Sequence, residues 1–376
     1  MPDDRLHVVL GGAFPAPGGP QGTWGRALGT IVDSEHLRGA VRFTPYRKTL
    51  PEEGGSLRRL ILDATRFLRA LSPRPDLVHL HVVFRNSVYR EVPMLEAARL
   101  LGIPTVCDVR TGGLQHHWGA SHSALQNAML THVFKTAGAL VCECAGDVAF
   151  IESKSGRRPD VVPSIMPAAR FHGATPADLT LRGGDSLKLV FIGRFIREKG
   201  LLTMIEGLKI LSERRVPVEL HLDGWGDGGQ VDRSIADAEA ELTGSARLIN
   251  HGRSSGDILE ILARYHVFTM LTSWPSEGHP NALLEAMTVG LGLLLSPWRH
   301  LPRLAPEASR IEVPPDDSWA FADAVEDTLN HPERLLAAGR QARAFVRDNF
   351  LDSTICPRLL EIYRRAVGAG GRHHLR

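Results

Sequence analysis

Two glutamates bracket one short stretch, Glu277-Gly278-His279-Pro280-Asn281-Ala282-Leu283-Leu284-Glu285. Pro280 or Asn281 suits a helix start, so Glu277 is expected in the loop before the helix and Glu285 over a turn inside it. Both acids can then face one cleft. Glu285 is also the only charged side chain between Asn281 and Trp298. A carboxylate in so apolar a run is costly to bury without a partner. Ribose hydroxyls would supply one; capping or snorkelling from its own helix is the plainer account.

A second group stands in Gly193-Arg194-Phe195-Ile196-Arg197-Glu198-Lys199-Gly200. A guanidinium fork and an ammonium between two glycines can both meet a diphosphate, although a solvated loop would read the same way. Arg197 and Glu198 suit a solvated pair. A third candidate is the glycine-rich run Gly11 to Gly22, with Gly18 and Gly19 near its centre. Its backbone N–H groups can approach an anion ahead of a helix starting near Thr23. The spacing is neither a P-loop nor GxGxxG, and a flexible loop is the alternative.

The elements that must position these residues alternate throughout. Strands are expected at 6–10, 40–44, 77–83, 104–109 and 138–142, with helices that include 56–71 and 89–101 between them. From Pro159 to Ser186 periodicity fades, as for a last short strand and a linker. The alternation then resumes with strands at 187–192, 218–223, 246–249, 266–271 and 291–296. Helices are expected at 199–214, 230–242, 256–264 and 281–289. This pattern predicts two doubly wound parallel α/β domains, with ligands beyond the carboxyl ends of the strands. The boundaries are placed at 1–180 and 181–350. Residues 351–376 are expected to form a helix returning to the first domain, followed by a basic tail.

At 376 residues the chain has the length of two such domains, and 43% hydrophobic content excludes a disordered chain. A net charge of +2 is too small for bulk nucleic-acid binding, so no nucleic-acid partner is expected. The four cysteines show no zinc or disulfide spacing, which suits a reducing cytoplasm. The N-terminus is unlike a signal peptide. No apolar run approaches the roughly 20 residues that a membrane span needs.

The GRxxxxKG run and the Glu-x7-Glu pair, taken together, resemble the family 4 retaining glycosyltransferases with the GT-B fold. Asp223-Gly224-Trp225-Gly226-Asp227-Gly228, Pro75-Asp76-Leu77-Val78-His79-Leu80-His81 and the closing Leu360–Arg364 helix extend the resemblance over nearly the whole chain. It implies two facing Rossmann-like domains with a deep interdomain cleft. It also implies a retaining, metal-independent transfer from a nucleotide-diphosphate sugar to a glycan or lipid-linked acceptor, without a cofactor. Glu285 would hold the ribose, Glu277 would sit beside the donor sugar, and Arg194 and Lys199 would neutralise the diphosphate. Backbone amides from Gly278 through His279, Pro280 and Asn281 to Ala282, excepting the imino nitrogen of Pro280, would meet sugar hydroxyls or phosphate. Gly252 and Arg253 would pack against the base, and Gly224 belongs to the glycine-rich turn. No Asp-x-Asp occurs, in keeping with cations in place of a metal.

The chain departs from the family at one point. Many relatives carry a His after the fourth strand of the first domain, where this chain has Arg110. Arg110 would point into the cleft as a third cation or meet an anionic acceptor. His116, His117 and His122 follow closely and offer an imidazole. A uridine-diphosphate sugar is the first choice of donor, with guanosine-diphosphate mannose as the alternative. An inverting GT-B transferase, a sugar-nucleotide epimerase and a non-catalytic nucleotide-sugar-binding or scaffolding relative are the rival readings.

Helix 56–71 bears on the acceptor. Leu57, Leu60, Ile61, Ala64, Leu68 and Leu71 share one apolar face, and Arg58, Arg59, Arg66 and Arg69 stand on or beside the other. Packing of that apolar face on the sheet is expected. Peripheral contact with anionic lipid at the inner membrane face is the alternative.

Overall fold

The structure, a computed structural model, describes residues 4–12, 23–49, 55–82, 87–120 and 122–371. Gly18, Gly19 and the end of the basic tail lie outside the described residues. The chain divides into two units, one of Met1–Ala168, Pro275–His279 and Phe350–Arg376, the other of Ala169–Trp274 and Pro280–Asn349.

In the first unit, the strands β1 (Leu6–Gly12), β2 (Val41–Arg47), β3 (Leu77–Val82), β4 (Thr105–Val109), β5 (Ala139–Cys142) and β6 (Asp160–Val161) form a parallel sheet. Its order is β2-β1-β3-β4-β5-β6. Every residue of β3 and β4 is buried, as expected of central parallel strands covered on both faces. On one face Val8, Leu10, Val106 and Val141 meet Ile355, Leu359 and Tyr363 of the C-terminal helix Asp352–Gly371. The opposite face packs against Phe67, Val92, Leu95, Leu130 and Phe134.

The second unit has β7 (Leu187–Arg194), β8 (Val218–Trp225), β9 (Ala246–Asn250), β10 (Val267–Met270), β11 (Gly292–Leu295) and β12 (Arg310–Glu312). The order β12-β11-β10-β7-β8-β9 is again parallel throughout. The chain winds outward from β7 in one direction through β8 and β9 and in the other through β10 to β12. The switch point therefore lies between β7 and β10, where an open parallel sheet leaves a crevice at its carboxyl end.

Two sequence expectations need correction. The helix expected from 199 starts at Leu201, because Gly200 adopts φ 79° and a 3-10 turn covers Arg197–Lys199. Leu271 presses against the α-carbon of Gly200, leaving no room for a side chain there. Lys199 is thereby held on a turn rather than in a helix.

The second correction concerns Ser56–Ala70. Its apolar stripe does not pack on the sheet: Leu57, Leu60, Ile61 and Leu68 are exposed, and Asp63 and Phe67 are buried instead. Asp63 accepts from the backbone N–H of Thr49 at 2.7 Å and from Arg90 at 3.0 Å, while Phe67 packs edge-on against Tyr46. A buried carboxylate with two such donors anchors the helix as firmly as an apolar ridge would.

Candidate active site

The loops after β7 and β10 meet at the switch point of the second unit. Ser273 N–H donates to the Glu198 carbonyl at 2.7 Å, and the Thr272 hydroxyl donates to the same oxygen at 3.2 Å. These bonds carry Trp274 to the cationic loop. The Arg194 guanidinium lies 4.7 Å from the centre of the Trp274 ring and the Lys199 ammonium 4.8 Å from it. Trp298 Nε1 donates to the Trp274 carbonyl at 3.1 Å and fixes the residue from behind. Two cations over one aromatic ring form a compact positive site, because the ring attracts both charges and offsets part of their repulsion. Trp274 was not singled out from the sequence; its position next to the Glu277 segment was the available signal.

Gly224 stands opposite Gly193 in the β7–β8 register and donates its N–H to the Gly252 carbonyl at 2.8 Å. The neighbouring Trp225 and Arg253 form a second stack, with the guanidinium 5.0 Å from the ring centre. Gly252 has φ 63°, and its N–H is tied to the Asn250 side chain at 3.0 Å.

Helix Asn281–Val289 begins after Pro280, whose carbonyl accepts from Leu284 N–H at 3.2 Å. Asn281 and Ala282 are its half-buried first residues, and Glu285 is buried. Arg170 of helix Ala168–Gly173 approaches Glu285 at 3.7 Å and donates to Asp257 at 2.8 Å. Arg343 holds this short helix by donating to the carbonyls of Phe171, Ala174 and Thr288. A cation from a stretch without periodicity thus answers part of the need that Glu285 raised. Sequence spacing carried no signal for it.

Glu277, Gly278 and His279 belong to the first unit. Glu277 and His279 are buried, and the His279 ring lies edge-on to Phe350, 4.9 Å between centres. A side chain at Gly112 would overlap the Glu277 carbonyl, so the segment after β4 and the Glu277 turn approach as closely as two backbones can. His117 Nε2 lies 2.7 Å from the Ser276 hydroxyl. His117 is buried and brings an imidazole next to the turn, whereas its neighbour His116 is exposed. His122 stacks on His117, 6.1 Å between centres.

Arg110 does not stand free as a third cation. It is buried and its Nε donates to Asp108 Oδ2 at 2.9 Å. His79 Nε2 and His81 Nε2 lie 3.1 and 3.2 Å from the same oxygen, and Tyr363 Oη is 2.8 Å from His79 Nδ1. Burial pushes the Asp108 carboxyl up; Arg110, His81 and His79 overcome this and hold it well below the usual range. Burial lowers the His81 imidazole to about 4 against the pull of Asp108. His79, His81 and Asp108 offer a possible metal-ligand set, but the Arg110 guanidinium already fills the cation's place on Asp108. The remaining member of this region, absent from the sequence reading, is Glu143, buried immediately after β5.

Two six-stranded parallel α/β units of this kind define a GT-B protein, and solved structures agree over nearly the full chain. Sucrose-phosphate synthase from Thermosynechococcus elongatus matches with a TM-score of 0.72 at 17% identity, covering 97% of this chain and 100% of the other. Anabaena HepE in complex with UDP matches with a TM-score of 0.71 at 16% identity, covering 95% and 98%. Residues 186–331 match the family described as Glycosyl transferases group 1. The putative teichuronic acid biosynthesis glycosyltransferase TuaC of Bacillus subtilis (strain 168) is 21% identical over 77% of this chain and 72% of its own length. The amylovoran biosynthesis glycosyltransferase AmsK of Erwinia amylovora is 28% identical over 51% of this chain and 49% of its own. The chain thus has the GT-B fold, and its second unit carries the match to the Glycosyl transferases group 1 family.

Proposed function

We propose that this protein transfers a hexosyl or related sugar, with retention of anomeric configuration and without a metal, from a nucleotide-diphosphate donor to a growing polysaccharide or a lipid-linked glycan. The observation that carries the reading is the pairing of Arg194 and Lys199 over Trp274 at the switch point. Departure of a nucleoside diphosphate builds negative charge on the leaving oxygen while the sugar becomes oxocarbenium-like. Two fixed cations oppose that charge in the role a divalent metal would fill. In this reading Glu285 takes the ribose, Arg253 and Gly252 lie by the base, and Glu277 lies beside the sugar. The amides of Asn281 and Ala282 add the positive end of their helix. The imidazole of His117 stands in for the family histidine that Arg110 replaces.

A uridine-diphosphate sugar is the favoured donor, since HepE, of the same fold, has been solved with UDP-glucose. The TuaC and AmsK names support a role in polysaccharide assembly. A thermal-shift screen of nucleotide sugars in EDTA tests the donor reading. One uridine-diphosphate sugar should raise Tm with the logarithm of its concentration. No shift with any donor, or a shift only with added Mg or Mn, would contradict it.

A specific observation supports a membrane-borne acceptor. Leu57, Leu60, Ile61 and Leu68 are exposed on Ser56–Ala70, with the exposed Arg58 and Arg69 beside them. Apolar side chains that enter the headgroup boundary, flanked by cations, suit the surface of an anionic bilayer. No helix among the described residues is long and apolar enough to cross a membrane.

A further inference from the structure

Glu143 follows β5 and is buried, yet it is neither a core residue nor part of the Asp108 network by hydrogen bond. Its carboxylate accepts from the backbone N–H of His279. The Ser164 hydroxyl lies 3.3 Å from Glu143 Oε1 and 3.4 Å from the His279 carbonyl, bridging the same two partners. A side-chain carbon placed on Gly278 would come within 2.5 Å of Glu143 Oε2. The carboxylate therefore fills the space that Gly278 leaves open and grips the peptide that follows it. Glu143 N–H donates to the Val109 carbonyl at 3.2 Å, so its own backbone is pinned to the end of β4.

We propose that Glu143 is a positioning residue for the reaction, setting the conformation of the Glu277-Gly278-His279 turn through the His279 peptide and the vacant face of Gly278. The inference rests on the reading of that turn as part of the donor site. An ionised carboxylate is the stronger acceptor for the peptide N–H, so the turn is held best when Glu143 carries its charge. Burial raises this carboxyl to about 7, against the pull of the Arg110 guanidinium. The charged and titratable groups that face it are Arg110 and Asp108 from the β4 end and Cys144 on its own segment, while the turn meets it through the His279 backbone N–H and Ser164 adds a neutral hydroxyl.

The test is donor hydrolysis by the full chain with a uridine-diphosphate sugar, followed as kcat and KM from pH 5.5 to 9. Wild type, Glu143→Gln and Glu277→Ala are compared, with melting at pH 8 to verify folding. In wild type, kcat should fall as the pH drops through about 7. Glu143→Gln should fold, lose about tenfold in kcat at pH 8 with KM changed by less than about threefold, and lack that acid limb, because a displaced turn costs rate more than binding. Wild-type kcat and the wild-type acid limb in Glu143→Gln would overturn the inference while leaving the donor reading intact, provided Glu277→Ala is impaired. Equal rates in wild type and Glu277→Ala would instead overturn the donor reading and the inference with it. Should Glu143→Gln fail to fold, the wild-type profile decides, and a kcat flat between pH 6 and 8.5 contradicts the role.

Discussion

The Glu285 carboxylate lies 3.7 Å from the Arg170 guanidinium, which also holds Asp257 at 2.8 Å. Glu285 is buried while Arg170 retains 29% exposure, so solvent screens part of the attraction. Replacing Arg170 by Ala leaves Glu285 without this cation and should cost about 1–2 kcal/mol, less than a fully buried pair would. Urea unfolding checks this. An unchanged midpoint would show that the pair contributes nothing.

Trp274→Ala should raise the donor KM roughly 5- to 30-fold with a smaller effect on kcat, because Arg194 and Lys199 each lose a cation–π contact of about 0.5–1 kcal/mol. Trp274→Phe should recover part of the loss. Steady-state kinetics with the matched donor decides, and equal KM values for wild type and the Ala variant would remove Trp274 from the site.

The His81 imidazole, lowered to about 4 by burial, gives a pH dependence with a definite sign. The unfolded chain takes up this proton near pH 6.5 and the folded chain only near 4. Stability is therefore lost as pH falls from 6.5 to 4, by up to about 3 kcal/mol. Glu143 acts oppositely: its folded value is the raised one, so its contribution is lost as pH rises from 4.5 to about 7. The two partly cancel in wild type. Removing His81 should expose the Glu143 trend, so that His81→Asn gains stability relative to wild type on acidification from pH 7 to 5. Parallel urea midpoints for the two proteins at both pH values would refute the assignment.

Substituting Leu57, Leu60, Ile61 and Leu68 together by Ser should leave Tm within a few degrees, since these side chains are already exposed. It should abolish flotation with vesicles that contain phosphatidylglycerol. Flotation that survives the change, or that never occurs with wild type, rules out this helix as a lipid contact.

That helix also marks where sequence reading stops. Hydrophobic periodicity finds the stripe Leu57, Leu60, Ile61 and Leu68 but not the direction it faces. The buried side was decided by Asp63 meeting the Thr49 N–H and Arg90, contacts set by tertiary structure. The parallel strands were legible where central strands buried on both faces are mainly apolar runs, as in β10 and β11. Glu285 was legible because it is alone among apolar residues, but its neighbour Arg170 sits in a stretch with no period. For Arg110 the sequence suggests a third cation or an acceptor contact but not its pairing with Asp108, which stands two residues earlier at the end of β4, so that the two side chains share one side of the strand. Glu143 left no trace in the pattern, since its importance comes from the Gly278 turn, far along the chain.

The most direct test of the central claim is the release of nucleoside diphosphate from a uridine-diphosphate sugar in the presence of EDTA. Wild type, Glu277→Ala and Arg194→Ala/Lys199→Ala are to be compared. The account predicts turnover by wild type without metal, and a loss of roughly 100-fold or more when either set is removed, since both act on the departing charge or the reacting sugar. Equal slow release by all three proteins, or wild-type turnover only after Mn or Mg is added, would contradict it.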